Sequence, residues 1–474
     1  MLNKVKYHKQ NLIILLTLIF SIIAWYSPVS EDISKDAWHL SVIFVVTIIG
    51  IVLNPLPLGV IALLSILSCV LTETLSLAQC LSGFSDSIVW LILFAFFISN
   101  GFITTGLGAR IAYFVLSKIG RSTLGISYAF VIADFILSPL IPSATARAGG
   151  IIFPIAKSIC ESFSDGNQYS AESSKNGGFI MSVCTQSTVI TSSLFTTAMA
   201  ANPLAIKLAA NAGFIISWTD WAIAAIVPGV ISLAIMPLII FYLHTPTIKY
   251  SDSIPKIAKA KLKSMGKISI NEIIMIAVFV ILIVLWINGP EFGLSATTVA
   301  LLGLSVLLVT KVIDFENNLA DKGAWHTFIW FGTLVMLSDF LSKFGLMTWI
   351  GVKLQILFLD TSPINSLIIL SLIYFYIHYF FASCTAHITV LFPTFLVLFT
   401  NAGMKGLLAS LVLSFLSVLS AGLTHYGLSS TPIFFGAGYV TTKDWWRIGL
   451  ITSLSYLLVW IFIGGAWWKF LNLW

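Results

Sequence analysis

Apolar runs of about 20 residues recur along nearly the whole chain, the length an α-helix needs to cross the ~30 Å hydrocarbon core of a bilayer. Inside that core every backbone N–H and C=O must find a partner within the protein, which restricts what such runs can become. Of the 474 residues, 58% are hydrophobic and 9% are Asp, Glu, Lys or Arg, whereas a soluble chain carries roughly 25% charged residues. No stretch reads as a separate soluble domain. The expected fold is therefore an all-α polytopic membrane protein, with about eleven transmembrane helices and two re-entrant hairpins, and the bilayer as its constant partner.

Charge placement orients the chain. Lys4, Lys6 and Lys9 precede the first apolar run, Asn11 to Tyr26, and put the N-terminus in the cytoplasm. That run is long for a signal peptide and no small-residue cleavage site follows it, so a retained first helix is expected. The longest polar stretch, "HTPTIKYSDSIPKIAKAKLKSMGK" (244–267), holds six lysines. In an integral membrane protein it reads as a cytoplasmic linker (245–268), not a nucleic-acid patch. Lys118 with Arg121, Lys311 with Lys322 and Lys443 with Arg447 mark further cytoplasmic ends, while "SEDISKD" (30–36), "GPEFG" (289–293) and "FLDTSP" (358–363) fit the outside. Cys69, Cys80, Cys160, Cys184 and Cys384 form no CxxC pair and lie in or beside apolar segments. They predict buried small hydrophobes, with no disulfide framework, metal site or cofactor.

The chain repeats itself. Trp90 opens "WLILFAFFISNGFITTGLG", and 53 residues on stands Ser143 in "PSATARAGGIIFP". Trp330 opens "WFGTLVMLSDFLSKFGL", and 53 residues on stands Ser383 in "ASCTAHITVLFP". Both motifs read Ser-x-Thr-Ala, then Arg147 or His387, then an apolar run ending Phe-Pro, and each interrupts an apolar stretch near its middle. A polar turn between two half-length apolar pieces predicts a hairpin entering and leaving the membrane on one side. Each half also has a later apolar segment broken by small polar residues, "CTQSTVITSSLFTTAMAANPLA" (184–205) and "AGLTHYGLSSTPIFFGAGYV" (421–440). Backbone groups freed by such breaks are tolerated at membrane depth only when buried in protein or lining a cavity. Counting spans gives a first repeat at 38–244 and a second of opposite orientation at 269–474, with 1–37 as an extra N-terminal helix. Midplane binding sites are typical of such inverted repeats.

A hairpin tip inside the membrane begins a helix whose first N–H groups lack intrahelical acceptors. Ser and Thr there cap those donors or offer hydroxyls to a ligand, and the helix dipole favours an anion. Two such tips suit a molecule with a carboxylate at each end. Arg147 adds a permanent cation with a fork matched to carboxylates, and His387 adds a conditional one. The competing role for Arg147 is an ion pair with Asp134 or Asp339. Ser193, Thr197, His425, Ser429 and Ser430, at the broken segments, are expected as a second tier lining the cavity. Ser383 and His387 lack a third partner or oxyanion arrangement, so catalysis is not expected.

The motifs "PSATARAGGIIFPI", "FASCTAHITVLFP", "AMAANPLA" and "THYGLSSTPIFFGAGYV" resemble the divalent anion/sodium symporter (DASS) superfamily. They most resemble the branch of bacterial citrate/succinate antiporters and plastid 2-oxoglutarate/malate translocators. The resemblance covers nearly the whole chain after the first helix. It implies a homodimer whose transport domain moves against a scaffold, and carboxylate contacts from Ser143, Thr145, Ser383 and Thr385. The symporters' motif Asn is Ala144 here and Cys384 in the second half. Neither is a plausible sodium ligand, because hard cations take oxygen, so the resemblance implies sodium-independent exchange with Arg147 and His387 where symporters bind sodium.

An empty site carrying an uncompensated Arg147 across the membrane would meet a desolvation cost of several kcal/mol. About 4 kcal/mol slows a step roughly a thousandfold, so Arg147 is expected to enforce exchange. The expected substrate is a di- or tricarboxylate and the expected location a bacterial cytoplasmic (inner) membrane, since no Arg/Ser-rich transit peptide is visible. The alternatives are a sodium- or proton-coupled symporter of the same fold and, in another class, an ion channel or inorganic-anion efflux protein.

Overall fold

A computed structural model describes residues 2–29, 31–53, 55–163, 171–346, 349, 353 and 363–474; "FLDTSP" lies outside them except for Pro363. The described chain is built of helices. The first half runs α1 (Leu2–Trp25), α2 (Lys35–Leu53), α3 (Leu58–Leu71), α4 (Ser87–Thr104), α5 (Leu107–Ile119) and α6 (Thr123–Leu137). There follows a helix that starts as α7 (Ala144–Arg147), passes through a π turn (Ala148–Ile152) and continues as α8 (Phe153–Ser162). Then come α9 (Ala171–Leu194), α10 (Ala201–Asn211) and α11 (Trp218–Leu243). After α12 (Ser253–Ser264) the second half runs α13 (Ile270–Asn288), α14 (Ala296–Val309), α15 (Lys322–Lys343), α16 (Pro363–Tyr376), α17 (Cys384–Asn401), α18 (Gly406–Ser420), α19 (Thr431–Phe435) and α20 (Thr442–Leu458). A π turn (Val459–Gly464) leads from α20 into α21 (Gly465–Phe470).

Among the described residues seven helical segments are long and apolar enough to cross a membrane, and five further apolar helices are shorter. The short ones include both elements that lead to the Ser-x-Thr-Ala motifs. α6 has 15 residues, about 22 Å at 1.5 Å per residue, too short for the ~30 Å core; it ends at Leu137 and helix resumes only at Ala144. α16, of 14 residues, gives way to a 3-10 turn (Ile377–Phe380), and helix resumes at Cys384. The later breaks also sit in corresponding places: α9 ends at Leu194 ahead of the 3-10 turn Thr196–Ala198, and α18 ends at Ser420 ahead of Ala421–Leu423. Proline follows each break at the start of the next short helix, as Pro203 in α10 and Pro432 in α19, where its missing N–H costs nothing.

The lysine-rich linker is more structured than its polarity suggested. α12 buries Ile254, Pro255 and Ala258, and the chain beside it pairs with the start of α6 through Thr123 N to Lys249 O and Ser251 N to Arg121 O. Arg110 of α5 donates to Met265 O and Gly266 O and pairs with Glu272 of α13 at 2.5 Å. The halves interlock elsewhere. Gln186 of α9 donates to Gly422 O and accepts from Tyr456 OH, while Lys207 of α10 bridges Asp86 at 2.9 Å and Asp339 of α15 at 3.2 Å.

Candidate functional site

Ser143 is the N-cap of α7, its hydroxyl accepting from Ala146 N at 3.1 Å; Ser383 is the N-cap of α17, its hydroxyl accepting from Ala386 N at 3.5 Å. Burial matches position by position: Ser143 and Ser383 are half-buried, Ala144 and Cys384 buried, Thr145 and Thr385 half-buried, Arg147 and His387 buried. The two helix starts share one cavity of about 560 Å³, lined by Ser143, Ala144, Thr145, Ser383, Cys384 and Thr385. Each cap accepts one N–H of its helix, and the first N–H groups of α7 and α17 have no acceptor within their own helices. The same cavity is also lined by Ser99 and Asn100 of α4, Asp321, and His326, Thr327 and Trp330 of α15.

Arg147 requires a correction. Expected to offer its fork to a ligand, it does not line the cavity; it is fully buried behind the tip and every donor is engaged. Nε meets Asp134 at 2.6 Å, Nη1 donates to Ile141 O and Ala198 O, and Nη2 donates to Ser192 Oγ at 2.9 Å and Thr191 Oγ1 at 3.4 Å. The cause is local. Ile141 lies in the hairpin link and Ala198 in the helix break, where carbonyls have lost their helical partners. Arg147 satisfies both and ties the tip to the broken helix, while Asp134, which also accepts from Thr191, neutralises it.

His387 is corrected in the same way. It too is absent from the cavity lining. Its Nε2 lies 2.9 Å from Tyr374 O, and its ring packs against Tyr374, His378 and Phe381. Next to an acceptor carbonyl, Nε2 must carry the proton, and in the neutral ring Nδ1 is then bare. Tyr374 stands 13 residues before His387, as Asp134 stands 13 before Arg147. Its hydroxyl pairs with Ser417 at 2.6 Å, as the Asp134 carboxylate pairs with Thr191. One half thus performs with an ion pair what the other performs with neutral groups.

The expected second tier divides. Ser429 lines the cavity and accepts from Thr145 Oγ1 at 2.7 Å, joining one half's tip to the other half's break. Ser430 is buried and outside the lining. Ser193 donates to Ile190 O, and Thr197 donates to Pro139 O at 2.5 Å; both serve the break itself. His425 accepts from Trp446 Nε1 and packs at a tilt against Phe435. Sequence reasoning missed Asn100, Asp321 and His326. Polar residues in or just before the Trp-led helices of both halves were the available signal.

Two capped helix starts lining one cavity within a polytopic helical bundle are the arrangement of a membrane carrier. The chain belongs to the family described as the sodium:sulfate symporter transmembrane region, whose model matches residues 8–474. This is the DASS superfamily that its motifs resemble. It is 48% identical to the putative malate transporter YflS of Bacillus subtilis, over 97% of this chain and 96% of that one. It is 45% identical to the chloroplastic dicarboxylate transporter 1 of Arabidopsis thaliana, over 97% and 83%. It is 35% identical to the inner membrane protein YbhI of Escherichia coli, over 97% and 98%. Among solved structures the fold is similar to the Alcanivorax borkumensis YdaH transporter, with TM-score 0.57 and 12% identity over 83% of this chain and 87% of that one. It is likewise similar to Neisseria gonorrhoeae MtrF, with TM-score 0.55 and 16% identity over 97% and 94%. The protein is a multi-pass membrane transporter, not an enzyme.

Proposed function

We propose that this chain exchanges di- or tricarboxylates across a bacterial inner membrane without sodium, each end of the substrate held by one hairpin tip. The observation that carries the reading is the convergence of the Ser143 and Ser383 helix starts on one cavity. Orphan N–H groups and two helix dipoles there favour paired anionic groups. The names of its relatives, a malate transporter and a dicarboxylate transporter, support the same substrate class. Ala144 and Cys384 offer no side-chain oxygen to a hard cation at the tips, which supports sodium independence. The same reading takes the halves as inverted repeats, the tips and broken helices as a body that moves elevator-fashion against the α3, α4 and α15 wall, the N-terminus as cytoplasmic, and the protein as a homodimer.

The basis for exchange differs from the one that Arg147 suggested. With Asp134 beside it, Arg147 adds no net charge to the empty site, so only the two helix ends resist an empty crossing. Each is worth about 0.3–1 kcal/mol to an anion, and together they slow the empty return on the order of tenfold, not a thousandfold. Proteoliposomes preloaded with malate are expected to take up labelled malate on the order of tenfold faster than empty vesicles, with sodium replaced by potassium and no loss of rate. Equal rates with and without internal carboxylate would refute exchange, and a strict sodium requirement would make the chain a symporter.

A further inference from the structure

His326 of α15 lines the same cavity as the two tips. It stands one turn into α15, and its Nε2 accepts from the backbone N of Gly59 at 3.2 Å. Gly59 is the second residue of α3, so this N–H is one of the donors that a helix start leaves unsatisfied. Accepting it makes Nε2 the bare nitrogen and puts the ring proton on Nδ1. A Cβ at position 59 would stand 3.3 Å from the ring, so glycine permits the approach. The ring thus has a fixed tautomer and one remaining N–H. Among the described lining residues Asp321, His326 and Cys384 have titratable side chains, and the Cys384 thiol donates to Ser417 O. Asp321 is committed, since Oδ1 caps α15 through Gly323 N and Ala324 N, and Oδ2 accepts from Asn100.

We propose that His326 selects the substrate, its Nδ1–H donating to an oxygen substituent between the two carboxylates, a 2-hydroxyl or a 2-oxo group. The proposal rests on the carboxylate reading of the cavity. Several donors at each tip suit the charged ends. Ser99, Asn100 and Thr327 already donate within the protein, which leaves the His326 Nδ1–H and the Trp330 indole as uncharged donors matched to a neutral oxygen on the middle of the chain. A site that hydrogen-bonds such an oxygen disfavours the analogue lacking it, because its own donor is then left unpaired.

The test is uptake by the full-length protein in proteoliposomes, with KM measured for malate and for succinate. Wild type is expected to show a malate KM on the order of tenfold below that for succinate. His326→Leu is expected to bring the two within about twofold by raising the malate value alone. His326→Gln keeps most of the preference, because its amide both accepts from Gly59 and donates to the cavity. Capping α3 is the competing role, and losing a cap lowers the melting temperature of the substrate-free protein without altering the malate-to-succinate ratio. The proposal is overturned if His326→Leu retains the ratio or raises both values alike. It is equally overturned, with no variant needed, if malate and succinate compete equally well in wild type. A wild-type protein that transports neither would instead refute the carboxylate reading itself.

Discussion

Arg147 and Asp134 form a buried pair, 0% and 1% exposed, and such pairs are asymmetric in their energetics. Removing one partner leaves a charge stranded in a low-dielectric interior at about 3–5 kcal/mol, while replacing both with apolar groups is often nearly neutral. Asp134→Asn and Arg147→Met are each expected to lower the thermal midpoint of the purified protein sharply. The double variant Asp134→Leu/Arg147→Met is expected to recover more than half of that loss, less the donors that Ile141 O and Ala198 O forfeit. A thermal-unfolding cycle in detergent checks this, and additive losses would show that the two charges are not coupled. The pairing was within reach of the sequence, which places Asp134 one apolar half-helix before the motif. What it did not carry was direction: Arg147 and Thr145 lie two residues apart on one short helix, and only the helix's orientation decides which of them meets the cavity.

At the scale of elements, the breaks were the most legible feature, because Ser, Thr, Gly and Pro cluster where helix cannot continue in apolar surroundings. Less legible was what surrounds a break. α20 passes so close to the Ala421–Leu423 turn that a Cβ at Gly449 would stand 2.5 Å from Leu423 O and 2.8 Å from Gly422 O. Those atoms are backbone and cannot swing aside. Gly449→Ala is therefore expected to cost on the order of 1–3 kcal/mol through overpacking, read as a thermal midpoint lowered by several degrees; an unchanged midpoint would show that the turn yields freely. The linker carries a helix that its polarity conceals. Its six lysines read as polar, yet Ile254, Ile257 and Ala258 recur at helical spacing, and that stripe is what docks α12.

For the molecule as a whole, the fold class was carried by apolar run length, and the pairing of the tips by the internal repeat. Asn100, Asp321 and His326 did not stand out as a group, because only folding brings them to one cavity. One whole-molecule property follows from the matched layers behind the tips. The first half balances Arg147 with Asp134, and the second puts His387 against carbonyl and aromatic groups. A membrane potential does about 2.3 kcal/mol of work per elementary charge per 100 mV, and here that work falls on the cargo. Swapping two dianions is expected to be electrically silent on a solid-supported membrane, whereas trading a trianion for a dianion should give a current that reverses with the gradients. A current during like-for-like exchange would mean that the protein itself ferries charge. Under the proposed exchange, an ion pair sealed behind the tip would leave the direction of traffic to the concentrations and valences of the metabolites on either side, and would let a cell keep its voltage while trading them.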